Sequence, residues 1–300
     1  MAMQRDLLKE NNHCIDVIAS VAKQYQKAST AISQIATLSK GTHNDANSVN
    51  LPKIKIQGLS KSFGNHKVLD GIDLEIKKGD SLVILGGSGS GKSVLIKTII
   101  GLIKPDNGTI TIDGILTNNI SNKERFKMMQ KCGFLFQAGA LFDSLTIQDN
   151  ITFFAEKLSK LSKQDKQELA ISKLESVGLP SRILNLYPSE LSGGMQKRVS
   201  LTRAICSNPE IIFFDEPTTG LDPIMANVIN ELIIKIQKEL NATTITITHD
   251  MDSAYKIATE IALLYNGKIL WRGKKDEIKN TNNPYVKQFI NGHVNGPMEF

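Results

Sequence analysis

The chain has 300 residues, 41% of them hydrophobic and 22% charged, proportions that exclude a disordered or fibrous protein. Its formal net charge of +6 is only mildly basic, and without a dense basic run no nucleic-acid partner is expected. Cys14, Cys132 and Cys206 are scattered without metal-ligand or redox spacing, which fits a reducing, cytoplasmic setting.

No run approaches the roughly 18 apolar residues of a membrane-spanning helix, and the charged start is unlike a secretory signal. Residues 1–40 read as one helix. Cys14, Ile18, Val21, Tyr25, Ala28, Ile32 and Ile35 alternate steps of four and three, a heptad seam that fits packing on the same domain or pairing with a partner chain. Residues 41–50, from Gly41 to Asn50, are nearly devoid of apolar side chains and read as a linker. A domain over 51–292 and a short tail over 293–300 follow.

Within that domain, Ile54, Ile56 and Leu59 open a strand, and Val68 to Ile76 gives another that ends in a turn at Lys77-Lys78-Gly79-Asp80. Ser81 to Leu85 is a short apolar run suited to a strand buried on both faces. A helix is expected over Ser93 to Leu102, then a turn at Lys104 to Gly108, a strand over Thr109 to Ile112 and a turn at Asp113-Gly114. Ile147 to Val177 is helical in pattern, with a loop or junction over Ser159 to Gln167. Ile211 to Phe214 and Thr243 to Thr248 are further buried strands, separated by a helix over Ile224 to Leu240. Strands alternating with helices imply an α/β fold with a parallel sheet.

The first chemical motif follows the buried strand. Gly86-Gly87-Ser88-Gly89-Ser90-Gly91-Lys92-Ser93 fits the phosphate-binding pattern G-x-x-x-x-G-K-[ST]. Glycines let backbone N–H groups approach phosphate oxygens, and the following helix adds the positive end of its dipole. Lys92 reaches the β- and γ-phosphates of ATP, and the Ser93 hydroxyl ligates Mg²⁺. The second motif is Ile211-Ile212-Phe213-Phe214-Asp215-Glu216, an apolar strand ending in two acids. Asp215 is suited to hold Mg²⁺ through water, and Glu216 to polarise the attacking water as general base.

Between the two motifs lies Leu191-Ser192-Gly193-Gly194-Met195-Gln196, which resembles the signature of ATP-binding cassette (ABC) ATPases. The resemblance covers residues 53–292. It implies a P-loop nucleotidase core with a RecA-like parallel sheet, an antiparallel β subdomain and a helical subdomain, here behind an N-terminal helical extension that the family lacks. It also implies a head-to-tail dimer in which Ser192, Gly193 and Gly194 of one copy close on the γ-phosphate held by another. Phe63 matches the aromatic that stacks on adenine, with phenylalanine in place of the commoner tyrosine. Gln137 matches the glutamine that contacts Mg²⁺ and senses the membrane partner. Leu221-Asp222 resembles the loop coupling the two sites, and His249 the histidine that contacts the γ-phosphate.

One cassette and no long coiled coil between the motifs resemble a transporter's separate ATPase subunit. The segment Phe136 to Phe142 and the end from Val286 to Phe300 are similar to the Mla-type, MCE-linked phospholipid transport ATPases of Gram-negative envelopes. That similarity implies a polytopic permease, an MCE-type lipid-binding protein and a small STAS-type regulatory subunit as partners, with the chain peripheral on the inner membrane. The alternatives are another importer, a lipoprotein-releasing ATPase or a soluble nucleotide switch. Tyr285, Phe289 and Phe300 would then let the tail pack on the opposite copy.

Overall fold

The computed structural model describes residues 51–158 and 160–299. The helix expected over 1–40, the linker 41–50, Ser159 and Phe300 lie outside the described residues.

Two sheets form the frame. The first is antiparallel, in the order β2-β1-β4-β5, and is built from β1 (Ile54–Phe63), β2 (His66–Ile76), β4 (Asn107–Ile112) and β5 (Ile115–Leu116). The second has the order β10-β9-β3-β8-β7-β6. It is made by β3 (Ser81–Leu85), β6 (Cys132–Leu135), β7 (Ile211–Asp215), β8 (Thr243–Thr248), β9 (Glu260–Tyr265) and β10 (Lys268–Lys274). Every neighbour pair in it is parallel except the edge pair β9–β10. All five residues of β3 and all six of β8 are buried, as the unbroken apolar and β-branched runs require of strands covered on both faces.

Alternation along these strands divides the interior into two layers. Leu82, Ile84, Ile211, Phe213, Ile245 and Ile247 face the antiparallel sheet and helix α1 (Lys92–Ile99), which contributes Leu95, Ile96 and Ile99. Val83, Leu85, Ile212, Phe214, Ile261 and Leu263 face the opposite layer. That layer holds helices α3 (Ile147–Leu158), α4 (Lys163–Ser176), α5 (Gly193–Ile205), α6 (Pro223–Leu240), α7 (Met251–Ile257) and α8 (Pro284–Asn291). Helix α2 (Asn122–Gln130) lies ahead of β6.

The boundaries differ from expectation where short-range chemistry intervenes. The helix after the phosphate loop ends at Ile99, and Gly101 follows in the left-handed region at φ 77°. The strand expected from Thr109 begins at Asn107. The polar stretch read as a junction over 159–167 narrows, because α4 starts at Lys163. There Ser162 accepts from the Asp165 amide and the Asp165 carboxylate accepts in return from the Ser162 amide.

The C-terminal segment folds onto its own chain. The Gln288 amide donates to the Met298 carbonyl at 3.1 Å and accepts from the Met298 N–H at 2.7 Å. Tyr265 OH accepts from the Glu299 N–H at 2.8 Å. Tyr285, Phe289 and Met298 join the core shared with the helices.

Candidate functional site

The parallel sheet brings four loops to one edge. The residues after Leu85 in β3, Leu135 in β6, Phe214 in β7 and Thr248 in β8 all leave the carboxyl ends of neighbouring strands, where open α/β sheets bind ligands. Those residues are the phosphate loop, Gln137, Asp215-Glu216 and His249.

The phosphate loop has no space for other residues at two of its glycines. A Cβ on Gly86 would lie 2.5 Å from the Leu264 carbonyl, and one on Gly91 would lie 2.8 Å from the Val68 carbonyl. Gly91 also stands at φ 100°, a conformation that favours glycine, and it precedes α1 without any side-chain cap. The first N–H groups of α1 are therefore free to meet an anion. Lys92 folds over the loop and donates to the carbonyls of Gly86 at 2.8 Å and Gly87 at 2.9 Å. Burial lowers its ammonium pKa, against the attraction of Glu216 and Asp215. Gly87, Ser88 and Gly89 continue the loop, with Gly89 at φ 77°, and the Ser90 hydroxyl is buried with no hydrogen-bond partner.

Glu216 is the best-held group of the site. It is 7% exposed and sits at φ 48°, a left-handed backbone that a residue of its size rarely adopts. Its N–H donates to the Ile247 carbonyl at 2.9 Å. Thr219 Oγ1 donates to its carboxylate at 3.0 Å and Thr248 Oγ1 at 3.3 Å, while His249 Nδ1 lies 3.0 Å away. Lys92 Nζ is 3.9 Å from the same carboxylate. Lys92, Glu216 and His249 thus form one cluster of ionisable side chains beside the phosphate loop.

Asp215 has one buried carboxylate oxygen with no hydrogen-bond partner. Burial first, and then the neighbouring Glu216, push its carboxyl up to about 6. Asp215 and Ser93 line the same small cavity beneath α1. A partnerless carboxylate oxygen opposite a serine hydroxyl is a donor set that fits Mg²⁺, a hard cation that keeps most of its own waters. Among the described residues no cluster of three His, Cys, Asp or Glu side chains offers a rival metal site.

Among the described residues, the side chains of the other candidates make no hydrogen bond to this cluster. Gln137 is exposed, and its carbonyl accepts from Lys197 Nζ at 2.7 Å. Phe63 is 49% exposed with Lys61 Nζ 5.4 Å from its ring centroid. Ser192 caps α5 by accepting from the Met195 N–H, and both Ser192 and Gly193 face solvent. No hydrogen bond among the described residues joins Ser192, Gly193 or Gly194 to the phosphate loop. Asp222 caps α6, accepting from the Ile224 and Met225 N–H groups at 3.0 Å each. Sequence reading did not single out Thr219, Thr248 or Lys197. Thr248 carried a signal, as the hydroxyl closing a strand that runs straight into His249.

A phosphate loop at a helix N-terminus, facing a buried acid pair across a parallel sheet, defines a P-loop nucleotidase. The family model for ABC transporters matches residues 69–219, and the chain belongs to that family as an ATP-binding, ATP-hydrolysing subunit using ATP and Mg²⁺. The probable ribonucleotide transport ATP-binding protein mkl of Mycobacterium leprae is 36% identical over 245 residues, 82% of this chain and 70% of its own length. The intermembrane phospholipid transport system ATP-binding protein MlaF of Haemophilus influenzae is 36% identical over 247 residues, 82% of this chain and 93% of its own length. A dimeric ATP-binding cassette solved in a post-hydrolysis state with ADP and Pi superposes with a TM-score of 0.69 at 33% identity, covering 74% of this chain and 98% of that one.

Proposed function

We propose that this chain powers a phospholipid transporter of a Gram-negative envelope. The observation that supports this most is the likeness to MlaF along 93% of that protein's length. Two copies pair head to tail. In each site the glycines and serines from Gly86 to Ser93 cradle the phosphates, Lys92 offsets their charge and Phe63 stacks on adenine. Ser192, Gly193 and Gly194 of the second copy close on the γ-phosphate, and Asp222 couples the two sites. Ser93, Gln137 and Asp215 hold Mg²⁺, which when bound spreads the phosphate charge. Glu216 accepts a proton from the water whose oxygen bonds to the γ-phosphorus, the bond to the β-phosphate oxygen breaks, and ADP and phosphate leave. His249 orients the Glu216 carboxylate and contacts the γ-phosphate.

The pair docks on a polytopic permease and lies peripherally at the inner membrane, with an MCE-type lipid-binding protein and a small STAS-type subunit in the same assembly. Among the described residues no helix is long and apolar enough to cross a membrane, so the permease would supply the crossing. The equal identity of the M. leprae relative favours a second reading, ribonucleotide transport.

Both readings are tested with Glu216→Gln, isolated from membranes with its partners and analysed by native mass spectrometry. The variant is expected to retain ATP, hold a stable dimer and lose about 100-fold or more in turnover. Normal turnover would remove Glu216 from its role. Bound phospholipid supports the first reading, and bound nucleotide beyond the two ATPs the second.

A further inference from the structure

We infer that Lys197 and Arg203 are positioning residues that lock the Gln137–Ala140 loop and the Glu216 backbone onto helix α5, so that an event at its Ser192-Gly193-Gly194 turn reaches the same chain's hydrolytic residues. The reading rests on the head-to-tail dimer proposed above.

Residues 197, 200 and 203 are spaced three apart and share one face of α5. Each touches the loop. Lys197 Nζ donates to the Gln137 carbonyl at 2.7 Å and reaches the Glu216 carbonyl at 3.4 Å. Arg203 donates through Nη1 to the Ala140 carbonyl at 2.5 Å and through Nη2 to the Gly139 carbonyl at 2.9 Å. Ser200 Oγ would lie 2.6 Å from a Cβ on Gly139, so that glycine is what permits the close approach.

The backbone so gripped is unusual. Gly139 and Ala140 are consecutive left-handed residues, at φ 72° and φ 49°, and alanine gains no local hydrogen bond from that conformation. Glu216, the other residue gripped, is left-handed as well. Such conformations persist where surroundings over-determine them.

Stability alone does not explain the choice of cations. Lys197 is 5% exposed, and among the described residues neither Lys197 nor Arg203 forms an ion pair with a carboxylate. Burial pushes the Arg203 guanidinium down to about 10, and it lowers the Lys197 ammonium against the attraction of Asp215 and Glu216. A desolvated cation whose direct hydrogen bonds go only to carbonyls is an expensive packing element, and an apolar side chain of equal volume would fill the space. What it uniquely provides is several donors at fixed points on a helix.

The geometry therefore links two half-sites. The exposed first turn of α5 meets the ATP bound by the second copy. About one turn along, Lys197 of the same helix fixes Gln137 and Glu216, which act on the ATP of its own chain. Closure at one nucleotide is transmitted rigidly to the other.

The test uses the full chain with Lys197→Met, which keeps the stem but removes the donor, and Lys197→Arg as the conservative rescue. Melting temperature, affinity for a fluorescent ATP analogue, kcat, KM and the Hill coefficient for ATP hydrolysis are measured. Lys197→Met is expected to bind the analogue as the native chain does, while kcat falls about 100-fold and the Hill coefficient drops toward about 1. Lys197→Arg recovers much of both. Unchanged kcat and Hill coefficient, or a raised KM at native kcat, would overturn the inference. Should Lys197→Met fail to fold, Arg203→Lys, which keeps charge and loses the two-pronged grip, decides by the same readouts. A native chain that hydrolyses without cooperativity removes the dimer reading, while the kcat comparison still decides the positioning role.

Discussion

At the scale of single residues, neighbouring acids are set apart by their surroundings. Glu216 is bonded on every side, whereas Asp215 carries a buried oxygen with no partner. The Asp215 carboxyl rises from 3.8 to about 6 in the folded chain, so folding favours its protonated form. The sign follows from linkage: the cost of burying the charge is absent below about pH 4 and complete above about pH 6. It amounts to at most about 3 kcal/mol at neutral pH. Asp215→Asn is therefore expected to melt higher than the native chain at pH 7.5 without Mg²⁺ or nucleotide, with the difference closing as the pH falls from about 6 to about 4. Differential scanning calorimetry across that range checks it, and a pH-independent difference would contradict the assignment. At the proposed site, Mg²⁺ would restore the balance by giving the orphaned oxygen a charged neighbour.

At the scale of elements, close approach of β6 to α5 determines where the signature turn stands. A Cβ on Gly133 would fall 2.2 Å from the Ala204 carbonyl and 3.0 Å from Pro209 Cγ. Gly133→Ala must push the strand from the helix and is expected to cost about 1–3 kcal/mol, read as a lower urea midpoint. This contact also shows what the sequence could and could not reveal. Strands β3, β7 and β8 were legible because burial on both faces writes an unbroken apolar or β-branched run. Strand β6, Cys-Gly-Phe-Leu, was not, being four residues with a glycine whose purpose lies in a neighbour seventy positions away. Helix α2 was missed although Ser121 and Glu124 form a capping box, because none of its residues is buried and no apolar stripe marks it. For the site, motif spacing pointed to the candidate residues that the sheet gathers at its carboxyl edge. Of the residues that hold them, Thr248 could be found at the end of its strand, whereas Thr219, Lys197 and Arg203 belong to no pattern and appear only when the chain is folded.

At the scale of the whole molecule, the end of the chain closes the helical layer. Met298 is 2% exposed, and the Gln288 side chain, itself buried, spends both its donor and its acceptor on the Met298 backbone. Removing residues 293–300 leaves that amide without partners and bares the apolar surface beneath Met298. The truncated chain is expected to lose about 1–3 kcal/mol in urea unfolding while binding ATP as before, since among the described residues no hydrogen bond joins the phosphate loop to the segment. Lost nucleotide affinity at unchanged stability would point instead to a direct role at the site.

The edge of the molecule remote from ATP is tied as well. Lys53, ahead of β1, pairs with Asp113 at 2.7 Å and Glu210 at 2.5 Å, and Lys131 adds contacts to the same two acids at 3.2 and 3.4 Å. Lys53 and Asp113 flank strands of the antiparallel sheet, while Lys131 and Glu210 precede strands of the parallel one. Four alternating charges thus weld the two sheets where a hinge would otherwise lie. Rotating one sheet against the other would have to break these ion pairs, so the two sheets are expected to move as one frame.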